Sequence, residues 1–130
     1  MSYEMEVVDS GLVYANPKVE GCRIHVQQPS LVMMSRREFV ATYFLDHLDE
    51  AYDGRAVISR SIDAGRTWVF EGNIIKDRPS YTTHSMTCSK LADGSLIGVV
   101  QLNQYDEEHS STINVETYGR VPGDLYSVRS

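Results

Sequence analysis

The stretch Ser61-Ile-Asp-Ala-Gly-Arg-Thr-Trp68 decides how the rest of the chain is read. Its residue types make a self-bonded reversal. Asp63 can accept backbone N–H bonds across the turn, and Gly65 can take the left-handed conformation. Ser61 and Thr67 add short hydroxyls, and Trp68 covers the turn with a large apolar face. A turn of this kind joins two adjacent antiparallel strands, so strands are expected on both sides of it.

Working outward, Leu31-Val-Met-Met34, Phe39-Val-Ala-Thr-Tyr-Phe-Leu45 and Ala56-Val-Ile-Ser59 precede the turn. Trp68-Val-Phe70, Leu96-Ile-Gly-Val-Val100 and Leu125-Tyr-Ser-Val128 follow it. All are short runs rich in β-branched and aromatic residues, as strands are. Turn formers separate them at Ser35-Arg-Arg37, Asp53-Gly54, Asp63-Ala-Gly65, Asp77-Arg-Pro79, Ala92-Asp-Gly94 and Pro122-Gly123. No segment longer than a single turn reads as helix, and the chain is predicted to be all-β.

An internal repeat is visible in the same pattern. Met34-Ser-Arg-Arg-Glu-Phe39 matches Leu91-Ala-Asp-Gly-Ser-Leu96 at an offset of 57 (91 − 34), each a strand, a tight turn and a second strand. Gly54 to Ser61 matches Gly123 to Ser130 at an offset of 69 (130 − 61), both ending in Arg-Ser. The second copy therefore carries about 12 extra residues (69 − 57), which fall in the polar loop between Gln104 and Gly123. Each unit reads as strand, tight turn, strand, longer loop, strand, turn, strand, which is a four-stranded antiparallel meander.

The 130 residues, 42% hydrophobic with a formal charge of −6, suffice for one domain. With 12 basic against 18 acidic residues, the chain lacks the positive field that nucleic acid or an anionic membrane surface requires. No apolar run is long enough to span a bilayer, and the acidic start is unlike a signal peptide, so the chain as given reads as cytoplasmic. Cys22 and Cys88 lie 66 positions apart (88 − 22) without a CxxC, which reads as two buried free thiols. His25, His47, His84 and His109 form no HExxH or triad pattern. There is no Gly-rich phosphate loop, and the Asp-x-Asp-x-Asp-Gly calcium spacing is absent, so no metal and no cofactor are expected.

The pattern Ser-x-Asp-x-Gly-x-Thr-Trp, filled by Ser61, Asp63, Gly65, Thr67 and Trp68, resembles the Asp-box of the sialidase (neuraminidase) superfamily and its BNR repeats. Gly11-Leu-Val-Tyr-Ala-Asn-Pro17, Pro29-Ser-Leu-Val32 and Asp53-Gly54-Arg55 extend the likeness over nearly the whole chain. The resemblance implies a six-bladed β-propeller with its active site on the channel axis. The chain would supply a lead-in strand (1–20), a first blade (21–76) and an incomplete second blade (77–130), about two four-stranded blades in all.

The resemblance also implies a chemistry, the hydrolysis of terminal sialic acids or related acidic glycosides. Three arginines bind the sugar carboxylate, an Asp protonates the leaving group, and a Tyr partnered by a Glu attacks the anomeric carbon. The position of the first arginine is held here by Gln27, with Arg23 four residues before it (27 − 23). The acid maps to the loop Asp46-His-Leu-Asp-Glu-Ala-Tyr-Asp53, with Asp53 first by position and Asp49 next. The nucleophile and the other arginines would come from later blades. Asp-boxes also occur in non-catalytic propellers, which gives the alternative of a module that binds glycans or protein partners.

Two blades do not close a ring, and the second unit stops at Ser130 where the first opens its Asp-box. Three arrangements follow. The chain is a piece whose carboxy-terminal remainder lies elsewhere, or three copies assemble head to tail to close six blades, or a partial propeller stands alone with its edges capped by loops. The expected ligand is a glycan or a small acidic sugar.

Overall fold

The computed structural model describes residues 6–7, 9–21, 24–47, 54–76, 81–83, 86–104, 113–114 and 116–130. Among them the chain forms strands and no helix. The strands are β1 (Ile24–Met33), β2 (Phe39–His47), β3 (Arg55–Ser61), β4 (Val69–Asn73), β5 (Tyr81–Thr83), β6 (Thr87–Lys90), β7 (Leu96–Gln104) and β8 (Gly123–Arg129). They make two antiparallel sheets of four strands each. In the first, consecutive strands are neighbours in the order β1-β2-β3-β4. In the second, β5 and β6 lie end to end along one edge of β7, and β8 lies along the other.

The two sheets are built in the same register. Val40 faces Arg60 and Thr42 faces Ile58 in the first sheet, while Ile97 faces Arg129 and Val99 faces Ser127 in the second. These pairs follow the offsets of 57 (97 − 40) and 69 (129 − 60) read from the sequence. The tight turns repeat as well, since Met34 N donates to Glu38 O at 2.8 Å and Leu91 N donates to Ser95 O at 2.8 Å. The arginines at the ends of β3 and β8 repeat their role too. Arg60 binds Glu38 at 2.5 Å and Arg129 Nε donates to Ser95 Oγ at 3.1 Å, each reaching the turn between its own first two strand positions. The β1–β2 register shifts between Gln27 and Ser30.

One face of each sheet meets the other. Val32, Val40 and Ala56 of the first sheet pack with Met86, Cys88, Leu96 and Val100 of the second. β2 is buried on both faces from Val40 through Phe44, which explains why its run is apolar apart from Thr42. Gly98 lets the Met86 side chain lie close on β7 in this layer, since a Cβ there would sit 2.6 Å from Met86 Sδ. Polar ties cross the same interface. The Thr42 hydroxyl donates to Met86 O at 2.5 Å, Ala56 N donates to Thr83 Oγ1 at 2.6 Å, and the Lys90 ammonium donates to Met34 O. Cys88 is a buried free thiol whose pKa burial pushes up. Cys22 lies outside the described residues.

The lead-in departs from expectation. Its described residues form no strand. Instead the segment lies over the face of the first sheet that points away from the second. There the Tyr14 ring meets Tyr43 at 5.6 Å and Phe70 at 6.2 Å between centroids. A segment crossing a face is held by side chains and offers its backbone to no ladder.

The reversal between β3 and β4 closes as its residues predict. Ser61 Oγ donates to Asp63 Oδ1 at 2.8 Å and accepts from Gly65 N at 2.8 Å. Thr67 donates its amide to Asp63 Oδ1 at 2.9 Å and its hydroxyl to Oδ2 at 2.6 Å. Trp68 Nε1 donates to Gly65 O at 3.0 Å. Ala64 and Gly65 both have positive φ, 64° and 86°, and Ala64 N is anchored to Arg37 O of the neighbouring turn at 2.8 Å.

These bonds, the Thr67 hydroxyl first, hold the Asp63 carboxyl at about 2, below its ordinary 3.8. A pKa lowered on folding adds stability that is complete above the ordinary value and lost as pH falls through the folded one. The Asp63 carboxyl should therefore titrate near 2 in a carbon-detected NMR experiment. Asp63→Asn should remove that part of the acid-side loss of stability. A titration at the ordinary 3.8 would contradict the closed turn.

Candidate functional site

Gln27 stands where the first β1–β2 ladder is interrupted. Gln28 takes a positive φ of 51° ahead of Pro29, and the register slips by one residue across the pair. Proline brings no N–H, so the ladder opens there and the strand bulges. The bulge turns Gln27 toward a cleft of about 480 Å³, which Val13, Tyr14, Leu31, Tyr43 and Trp68 also line. That volume falls within the roughly 300–1,000 Å³ of small-molecule sites. Trp68 thus has two roles, bonding the turn through its indole N–H and walling the cleft with its ring.

Tyr43 forms the floor on β2. Its hydroxyl pairs with Ser59 Oγ at 2.8 Å across the β2–β3 ladder, and burial raises its pKa. The phenol therefore stays neutral and its oxygen is already engaged. No arginine lines the cleft among the described residues, so it lacks the guanidinium fork that would grip a carboxylate bidentately. Aromatic and aliphatic walls with one side-chain amide suit an apolar ring face carrying a few hydroxyls.

On the far side of the bulge the Gln27 side-chain amide lies 2.6 Å from His25 Nδ1. His25 faces Asp46 in the β1–β2 ladder, and its Nδ1 stands 3.8 Å from Asp46 Oδ1. That carboxylate oxygen is buried and accepts no hydrogen bond among the described residues. The hairpin thus gathers an amide, an imidazole and a carboxylate at one end of β1 and β2. Gly54 closes the same end. It is buried, a Cβ on it would meet the Phe44 ring at 2.2 Å, and its carbonyl accepts from Thr83 N at 2.9 Å.

Of the residues that the sequence singles out, Ser61, Asp63, Gly65, Thr67 and Trp68 are together in the turn, and Gln27 is in the cleft beside Trp68. Arg23, Asp49 and Asp53 lie outside the described residues. Sequence reasoning did not single out His25. The signal that finds it is its pairing with Asp46 across the 35–38 hairpin. Among the described residues no three His, Cys, Asp or Glu side chains come together as a metal site.

Comparison with known protein families, with curated proteins and with solved structures finds no match. The reading of the site therefore rests on its own geometry.

The Tyr43–Ser59 pair gives that geometry a direct check. Tyr43→Phe leaves the fully buried Ser59 hydroxyl without its partner and should cost about 1–3 kcal/mol in a urea titration. Adding Ser59→Ala should recover much of the loss, because no polar group is then stranded. Equal costs for the single and double variants would contradict the pairing.

Proposed function

We propose that this chain forms two adjoining blades of a sialidase-like, six-bladed β-propeller, and that the completed propeller hydrolyses terminal sialic acids or related acidic glycosides. The observation that carries the proposal is the fully bonded Ser61–Trp68 turn, joining β3 to β4 in a meander whose register recurs in the second sheet. Strand order and turn type both agree with the family's blade. The two sheets pack face to face as successive blades do.

In this reading the acid is Asp53, or failing it Asp49, delivered by the loop that ends at the buried Gly54. Such a carboxyl would protonate the leaving oxygen, and a neighbour of like charge such as Asp46 would help it keep its proton until then. Arg23 or Gln27 would orient the sugar. The attacking Tyr, its Glu and the remaining arginines would come from other blades.

One observation favours the second reading, a non-catalytic module that binds glycans or a protein partner. The residue at the first carboxylate-binding position, Gln27, is an amide bonded to His25, in a cleft without a described arginine. Incubation of the completed propeller with a fluorogenic sialoside separates the two. The first reading expects turnover that falls by about 10²–10⁴-fold on Asp53→Ala, the usual contribution of a positioned acid. Absence of turnover with retained binding to immobilised glycans would overturn the enzyme and leave the binder.

A further inference from the structure

The entry of β3 is fastened from the second sheet. Gly54, immediately before β3, is buried, with the Phe44 ring so near that a Cβ would meet it at 2.2 Å. The Gly54 carbonyl accepts from Thr83 N of β5 at 2.9 Å, and Ala56 N donates back to Thr83 Oγ1 at 2.6 Å. Arg55 Nη1 adds a second bond to the same carbonyl at 3.0 Å. Thr83 and Ala56 are both buried, and Thr83 is itself held in the β5–β7 ladder opposite Leu102.

This tie differs from the other polar bonds between the sheets. Thr42 and Lys90 each reach across with a side chain alone. Thr83 uses its amide and its hydroxyl together, and takes hold of the backbone on both sides of Arg55. A glycine at the entry of a strand has more conformational freedom than any other residue. Here two hydrogen bonds and an aromatic ring remove it. Asp53, itself outside the described residues, is one peptide bond from Gly54, and adjacent Cα atoms are only about 3.8 Å apart.

We infer that Thr83 is a positioning residue for the glycosidic acid: it fixes the backbone at Gly54 and Ala56, and with it the point from which Asp53 is presented. The inference rests on the glycosidase reading given above. In the step concerned, the bond between the anomeric carbon and the leaving oxygen breaks and its electron pair stays on that oxygen. The oxygen takes the Asp53 proton, so a neutral alcohol departs and a carboxylate remains. The transfer needs the donor within hydrogen-bond reach, and a misplacement of about 1 Å can cost about 10²-fold in rate. The placing of the acid therefore depends on the packing of two neighbouring sheets and not on its own loop alone.

Thr83→Val in the completed propeller keeps the shape of the side chain and removes Oγ1, with circular dichroism to check folding. Turnover is read on two sialosides, one with an alkyl leaving group, which must be protonated to depart, and one with a fluorogenic aryl group, which needs less help. Thr83→Val should lower turnover of the alkyl sialoside by up to about 10²-fold and that of the aryl sialoside by less. Thr83→Ser, which restores the hydroxyl, should recover both rates. Thr42→Val, which removes another buried bond between the same sheets, should leave the ratio of the two rates unchanged. In an Asp53→Ala background, Thr83→Val should add no further loss, because the group it places is gone. Equal losses on both substrates, or a full additional loss on top of Asp53→Ala, would overturn the positioning role while leaving the glycosidase reading in place. A wild-type propeller that turns over neither substrate would overturn that reading and this inference with it.

Discussion

Val40 and Ala56 on one sheet meet Met86, Cys88, Leu96 and Val100 on the other, and every further feature of the chain presupposes that layer. A single sheet exposes two faces and is at best marginal in water, so each meander needs the other as a cover. Burying one aliphatic side chain of this size contributes roughly 1.5–3 kcal/mol. The ion pairs of Arg60 with Glu38 and Glu71 are part-exposed and contribute about 0–1 kcal/mol each. The apolar layer therefore joins the sheets, while these charges tie the end of β3 to the turn before β2 and to β4.

The polar groups act on a different level, fixing geometry where apolar contact is indifferent to it. Thr42, Thr83 and Lys90 each bond a backbone group across the sheet interface, which sets how the two units are aligned. The Ser61–Trp68 turn does the same for β3 and β4, and it delivers the Trp68 ring to the cleft as a consequence. Fold and candidate site are thus coupled through one side chain. The bulge at Gln28–Pro29 couples them a second time, because it opens the ladder beside Gln27 and leaves His25 paired with Asp46.

What was legible in the amino-acid sequence was whatever is encoded within a few neighbouring residues. The turn at Asp63 needs no distant partner except Arg37 O, so its eight residues announced it. The repeat was legible because the turns at Ser35 and Asp93 recur at one spacing, and the register of both sheets follows it. β5 and β6 were harder to see. Tyr81–Thr83 and Thr87–Lys90 are polar and are held through threonine hydroxyls and β7, not by an alternating apolar stripe. The lead-in misled for the converse reason, since its valines and leucine resemble a strand while the segment lies across a face. The His25–Asp46 contact depends on the register slip at Gln28–Pro29, which sets the residue of β2 that faces His25. Arg23, Asp49 and Asp53 lie outside the described residues, so the acid and arginine assignments stay with the sequence.

Cross-strand Hα–Hα contacts, read by nuclear Overhauser spectroscopy on labelled protein, address the repeated register most directly. Two sheets built alike require contacts for Ala41 with Ser59 and for Gly98 with Val128, or at their immediate ladder neighbours, together with contacts between Thr42 and Met86 across the layer. A β7–β8 register displaced by one residue from that of β2–β3, or the absence of any contact between the two sheets, would contradict the account.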